Sequence, residues 1–276
     1  MSEAKRYRLE DLRRFAVALA SAAGFPTSRA SQLVGHLLWF DAAGAPNFGI
    51  ESLPDWLDRL QRGEFDPSSV GFVTSETLGT VVLEGRSGAP PIVLARAGEL
   101  AIEKARDAGI GLVRASHLAP TGPAAAIVSG MASGPTAAFA FGPDGQYALA
   151  IPAEEGPPAV FDSTLAADGE SSRSRRTNRS AKTITPVALK PWMAALVPDG
   201  DWMILALRVD SIEPLSSFVE RVGAMMDFAT PAVGQLIPSV SEDRRQMIRE
   251  QGMTLSTSTR GSLVEWARRL KVDATL

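Results

Sequence analysis

The chain has no cysteine, and only two histidines and two tyrosines among 276 residues. Without cysteine there can be no disulfide, no thiolate nucleophile and no sulfur-ligated metal. The two histidines, His36 and His117, lie far apart in sequence with no carboxylates at ligand spacing beside either, so no metal site is signalled. A Ser-His-Asp triad would have to use one of them. The hydroxyls of Ser116, Ser163 and Thr164 stand in no Gly-x-Ser-x-Gly frame. Neither Gly-x-Gly-x-x-Gly nor a Walker loop occurs. Positive charge is not in excess either. A formal charge of −3 and an isoelectric point near 5.6 argue against nucleic acid or an anionic membrane as the main partner. Long hydrophobic runs are missing too. The most apolar stretch, 124–141, is built of Ala, Gly and Ser, is broken by Pro135, and falls short of the ~20 strongly apolar residues that span a bilayer. The opening MSEAKRYRLEDLRRF has no apolar centre and mixed charge, unlike a secretory or transit segment. These features lead us to expect a cytoplasmic protein.

What is present is an ordinary globular composition, 45% hydrophobic and 21% charged, on a chain long enough for a large core. Leu12, Phe15, Val17, Leu19 and Ala20 recur near a helical period and predict a helix over 9–23. A second helix is expected over 28–40, with Leu33, Leu37 and Phe40 inward, and a third over 53–63. The run TVVLE at 80–84 predicts a strand, 91–108 a helix, and 111–115 the strand that follows. After Pro123 come a small-residue helix and strands at 136–141, 148–151 and 159–162, with a tight turn at Gly142-Pro143-Asp144-Gly145. Trp202 to Val209 predicts a buried strand. Residues 214–228 predict an amphipathic helix with Leu215, Phe218, Val222 and Met225 inward. Further helices are expected over 241–251, capped by Gly252, and over 262–270. The segment 166–183 has no large apolar residue. It reads either as a mobile surface loop or, through Arg173, Arg175, Arg176 and Arg179, as a grip for a phosphate or carboxylate. The five tryptophans, Trp39, Trp56, Trp192, Trp202 and Trp266, are read as core or interface packing.

The richest stretch is DAAGAPNFGIESLPDWLDRLQRGEFDP, from Asp41 to Pro67. Its frame of Asp41, Gly44, Gly49, Leu53, Pro54, Leu57, Leu60 and Gly63 resembles the signature of the malate/L-lactate dehydrogenase family of the non-Rossmann type, which also holds ureidoglycolate dehydrogenases and imino-acid reductases. That signature reads Asp-x-Arg-Gly-x-x-Ser-His-Gly, followed by an Arg-Leu-Pro-x-Tyr-like helix. Further segments are similar in the same order: 98–113, Ala115-Ser116-His117 through Gly122, 148–165, 201–222, and 235–252 with Pro238, Arg244, Arg245, Arg249 and Gly252 in register. The resemblance implies an α+β fold, with N-terminal helices packed beside a mixed β-sheet. It implies a helical region 1–75 packing with 201–276, an α/β region 76–165, and a shortened, partly flexible connection 166–200 in place of a cofactor-binding segment. It further implies a homodimer with a cleft near the subunit interface.

By resemblance, the chemistry is reduction of a small 2-oxo or imino acid by NAD or NADP. Such a reaction needs a proton donor near the forming alkoxide and a cation to hold the carboxylate. Here Ala43 stands where the family has Arg, and Phe48 where it has His. The Gly-Gly-x-Lys-Gly-Tyr-Gly-like nucleotide motif is absent from 166–200, and the turn at 142–145 replaces a second set of cofactor contacts. His117 is the candidate proton donor left by the match, with a structural histidine at a strand end as the alternative. Asn47, Phe48, Ser116 and Thr121 are the expected substrate-cleft residues. Asp162, Ser163 and Thr164 are the expected cofactor contacts, with a turn or cap role as the alternative for Asp162. Asp41 is expected to orient the loop after the second helix, and His36 to be a packed or partly exposed helical residue. The functional expectation is a divergent oxidoreductase whose inherited reaction is impaired or lost. The alternatives are a homodimeric binding or regulatory protein, a cofactor-independent enzyme in the old cleft, and a structural partner subunit.

Overall fold

A computed structural model describes residues 6–153, 156–165, 197, 200–229, 247–248 and 250–273. Seven strands form one mixed sheet: β2 (Phe72–Glu76), β3 (Thr80–Glu84), β4 (Ile110–Ser116), β5 (Thr136–Phe141), β6 (Tyr147–Ile151), β7 (Ala159–Asp162) and β8 (Trp202–Arg208). Their order is β2-β3-β4-β8-β5-β6-β7. Only β3 and β4 run parallel, joined by helix α4 (Pro90–Ala108), as a parallel pair requires a crossover. A small antiparallel pair joins β1 (Arg6–Tyr7), at the start of the described chain, to β9 (Met253–Thr254).

One face of the sheet is fully buried and, through β5 and β6, built mostly of alanine, while the other carries half-buried large side chains. Strict alternation along each strand sends Gly111, Val113, Ala115, Ala138, Ala140, Ala148, Ala150, Val160, Ile204 and Ala206 to the same side. All are buried, under α4 and α5 (Ala125–Met131). Short side chains let those helices lie close. Phe139, Phe141, Tyr147, Leu149, Phe161, Met203 and Leu205 point the other way and are half-buried, with Phe139 stacked on Phe141 and Tyr147 on Phe161.

A second core is helical. Helices α1 (Leu9–Ala23), α2 (Thr27–Ala43), α3 (Leu53–Gln61) and α7 (Thr257–Leu270) bury Leu12, Leu19, Leu33, Leu37, Leu53, Leu57, Leu263 and Trp266 together. Each such side chain is worth about 1.5–3 kcal/mol when taken out of water. Helices α2 and α4 belong to both cores: Phe40 of α2 packs into the sheet cluster and Ile92 of α4 into the helical one.

Most expected elements are present, with ends shifted by a few residues. Three differences stand out. Strand β2 was not expected: four of its five residues are exposed, so no apolar alternation marks it. Helix α7 begins at Thr257 rather than 262, because the Ser256 hydroxyl accepts the Thr259 N–H at 3.1 Å and caps an earlier first turn. In helix α6 (Leu215–Ala229), Val219 is the buried residue, while Phe218 and Val222, expected inward, are only half-buried. Of the helix expected over 241–251, residues 247, 248, 250 and 251 are described and helical. The readings of 166–183, Trp192, Met225, Pro238, Arg244, Arg245 and Arg249 lie outside the described residues or side chains. No described helix is long and apolar enough to cross a membrane.

Candidate functional site

The signature stretch folds as two 3-10 turns, Pro46–Phe48 and Ile50–Ser52, running straight into α3. Asp41, in the last turn of α2, holds this segment down. Its carboxylate accepts the Ile50 N–H at 2.8 Å. Gly49 passes so close that an added Cβ would overlap the Asp41 carboxylate. Asp41 thus orients the loop, as expected. Burial pushes its pKa up from 3.8 to about 7, and the Glu51 charge adds to that rise against the Ile50 hydrogen bond.

Held this way, the segment presents Phe48 and Ser52 to a cavity of about 250 Å³ between α2, α3 and the loop 120–123. Helix α2 contributes His36, Leu37 and Phe40; α3 contributes Asp55, Trp56 and Arg59; the loop contributes Pro120 to Pro123. The Phe48 ring lies 5.9 Å from the Phe40 ring. On its other side it covers Gly122, where a Cβ would come within 3.2 Å of Cδ1.

His36 is the residue that sequence reasoning did not place here. The sequence predicts a packed or partly exposed helical histidine at this position, and nothing local to α2 marks it as lining a cavity. Its ring meets Phe40 edge to face at 5.1 Å. Burial lowers its pKa from 6.5 to about 4, so the imidazole is neutral at physiological pH. The guanidinium of Arg59 is already engaged. Nε donates to Glu64 at 2.8 Å, Nη2 to the Pro120 carbonyl at 3.1 Å, and the group lies 4.7 Å over the Trp56 ring.

Of the four expected cleft residues, Phe48 and Thr121 line this cavity, while Asn47 and Ser116 do not. Asn47 is exposed and Ser116 buried. His117 also stands outside the lining. It is exposed, its backbone is left-handed at φ 54, and its Nδ1 is 3.2 Å from the Ser116 hydroxyl. Ala43 closes α2 without reaching the cavity.

Asp162 ends β7 and is 2% exposed. Its carboxylate accepts the N–H groups of Ala125, Thr164 and Leu165 at 2.9, 2.8 and 3.3 Å. It therefore caps α5 and pins the turn after β7. Burial raises its pKa to about 6 despite these bonds. The Ser163 hydroxyl accepts the Tyr147 N–H. The Asp162 carboxylate is thus spent on backbone N–H groups, whereas Thr164 takes part through its backbone N–H and not its hydroxyl. Among the described residues no group of three or more potential metal ligands occurs.

This fold is shared with several solved oxidoreductases. Malate dehydrogenase from Entamoeba histolytica superposes with a TM-score of 0.82 at 16% identity, covering 99% of this chain and 100% of that one. Sulfolactate dehydrogenase from Methanocaldococcus jannaschii gives 0.78 at 15% identity, covering 98% of each. Δ1-Piperideine-2-carboxylate reductase from Pseudomonas syringae pvar. tomato gives 0.75 at 17% identity, covering 95% of this chain and 100% of that one. In sequence, L-sulfolactate dehydrogenase from Methanothermobacter thermautotrophicus is 37% identical over 73 residues, 26% of this chain. That match spans only 21% of the relative's length, which also makes this the shorter chain. The family model for malate/L-lactate dehydrogenase matches residues 7–145, just over half of the chain, and the chain belongs to that oxidoreductase family.

Proposed function

We propose that this is a divergent family member that keeps the substrate cleft as a binding site and has lost the family's reduction of small 2-oxo or imino acids. The observation that carries this reading is the placement of Phe48. The signature backbone is held by Asp41 and Gly49, yet it delivers a phenyl ring to the cavity where the family pattern delivers an imidazole. Phenylalanine can neither give nor take a proton. Losing a general acid costs about two to four orders of magnitude in rate. Ala43 removes the matching guanidinium as well. Arg59, which does line the cavity, already donates to Glu64 and to the Pro120 carbonyl, and His117 stands outside the lining. A homodimer is part of the same proposal.

The test is turnover. The purified chain is mixed with NADH or NADPH and a panel of 2-oxo acids and a cyclic imino acid, and the nucleotide absorbance is followed. The expected rate is below about 0.1 s⁻¹ for every pair. Rates in the usual enzyme range of about 1–1000 s⁻¹ for any pair would overturn the proposal. Thermal melting with each nucleotide at millimolar concentration separates absent chemistry from absent nucleotide binding, since a ligand in large excess over its Kd must raise the Tm.

A further inference from the structure

The cavity beside Phe48 carries one acidic and one basic side chain on its wall, Asp55 and Arg59, and so favours neither sign of charge. Of the three ionisable groups on its wall, Arg59 is ion-paired at 2.8 Å with Glu64, a carboxylate that it shares with Arg62. Asp55 is exposed to solvent, and His36 is neutral at physiological pH. The rest of the wall is largely aromatic and aliphatic: Leu37, Phe40, Phe48, Trp56 and the two prolines of the 120–123 loop. A carboxylate moved there from water would lose its hydration and face Asp55, and a cation would face Arg59, so a charged head of either sign carries a cost. A neutral polar head would lose far less. His36 can meet such a head. Its ring touches Phe40, and no described residue hydrogen-bonds to its nitrogens. A neutral imidazole offers one N–H donor and one acceptor nitrogen.

We propose that this cavity binds a small uncharged molecule, about one ring with a donor–acceptor head such as a carboxamide, packed between Phe48 and Trp56 and hydrogen-bonded to His36. The size follows from the volume: an apolar cavity of about 150 Å³ holds benzene, so about 250 Å³ leaves room for a ring and a short polar group. The proposal rests on the reading that Phe48 has displaced the acid-handling chemistry, and it names what replaces the acid.

Benzamide, benzoate and benzylamine are near-isosteric probes with a neutral, an anionic and a cationic head. With only two histidines in the chain, the imidazole carbon-bound proton resonances can be assigned by comparison with His117→Gln. Benzamide is expected to shift the His36 signals, leave those of His117 unmoved, and bind at least tenfold more tightly than either charged probe. Thr121→Phe, which fills the cavity from the loop side, is expected to weaken benzamide at least tenfold, with melting temperature checked as a control for folding. Equal or tighter binding of benzoate or benzylamine would overturn the proposal. So would benzamide binding that leaves the His36 signals still, or that survives Thr121→Phe in a folded protein. The two readings fail separately: turnover of a 2-oxo acid defeats the loss of reduction, whereas a benzoate preference without turnover defeats only the neutral ligand.

Discussion

Two ionisable side chains, the buried Asp41 and the half-buried His36, sit within two turns of each other on α2 and respond oppositely to pH. Asp41 has a folded pKa near 7 against an ordinary 3.8, so the folded state holds its proton where the unfolded chain has released it. Its contribution to stability is fully present below about pH 4 and is lost as pH rises through 7. Three pKa units correspond to about 4 kcal/mol at the upper limit. His36 has a folded pKa near 4 against 6.5. The unfolded chain therefore takes up its proton first, and His36 costs stability as pH falls from about 6.5 to 4. Asp41→Asn keeps an oxygen to accept the Ile50 N–H and removes the titration. Denaturant unfolding across pH should show the variant gaining on wild type between pH 4 and 7, by up to about 4 kcal/mol, then a constant difference above pH 8. A difference that stays flat from pH 4 to 8 would mean that Asp41 is not buried as described. At this scale the sequence showed the role of Asp41 and the substitution at Phe48, because both belong to a contiguous signature. It did not show His36 in the cavity. That placement depends on α3 and the 120–123 loop, which lie far from His36 in sequence and leave no trace in the periodicity of α2.

The elements were legible where burial is one-sided. The Ala-x-Ala alternation in β5 and β6, and the apolar spacing of α1 and α4, state which face is covered. Strand β2 was not legible because its residues face water at the sheet edge. The contact between α4 and β4 is the tightest part of the sheet core. Gly111 of β4 lies against the α4 backbone, and an added Cβ would overlap the Ala101 carbonyl oxygen. Neither partner is a flexible side chain, so Gly111→Ala must push the helix off the strand. Overpacking of this kind costs about 1–3 kcal/mol, occasionally more. The expected result is a loss of at least about 2 kcal/mol in urea unfolding. Phe40→Ala, which removes a side chain 1% exposed where α2 meets the sheet cluster, is expected to cost about 3–5 kcal/mol. A Gly111→Ala protein with unchanged stability would show that α4 can shift freely, and the Ala-lined face would then have lost its explanation.

At the scale of the molecule, the order of strands departs from the order of the chain at one decisive place. Strand β8, from beyond residue 200, lies between β4 and β5. It forms six residue pairs with each neighbour. The first 165 residues hold six of the seven strands, but they cannot close the sheet. Without β8, the facing edges of β4 and β5 are left with unpaired backbone groups and with the buried partners of Trp202, Ile204 and Ala206 uncovered. Helix α7 is missing from that fragment too, and Leu263 and Trp266 no longer fill the helical core against α1 and α3. Both cores are therefore completed by late sequence. A fragment of residues 1–165 is expected to lack a cooperative thermal transition and to aggregate, because an open edge flanked by alanine-rich apolar strands is a template for pairing. Adding residues 200–276 in trans should restore some near-ultraviolet tryptophan signal, since Trp202 would again pack against Gly142. If the fragment instead melted sharply on its own, β4 and β5 would have to pair directly. The crossed strand order would then be dispensable to folding, and the signature cavity could be studied on the N-terminal part alone.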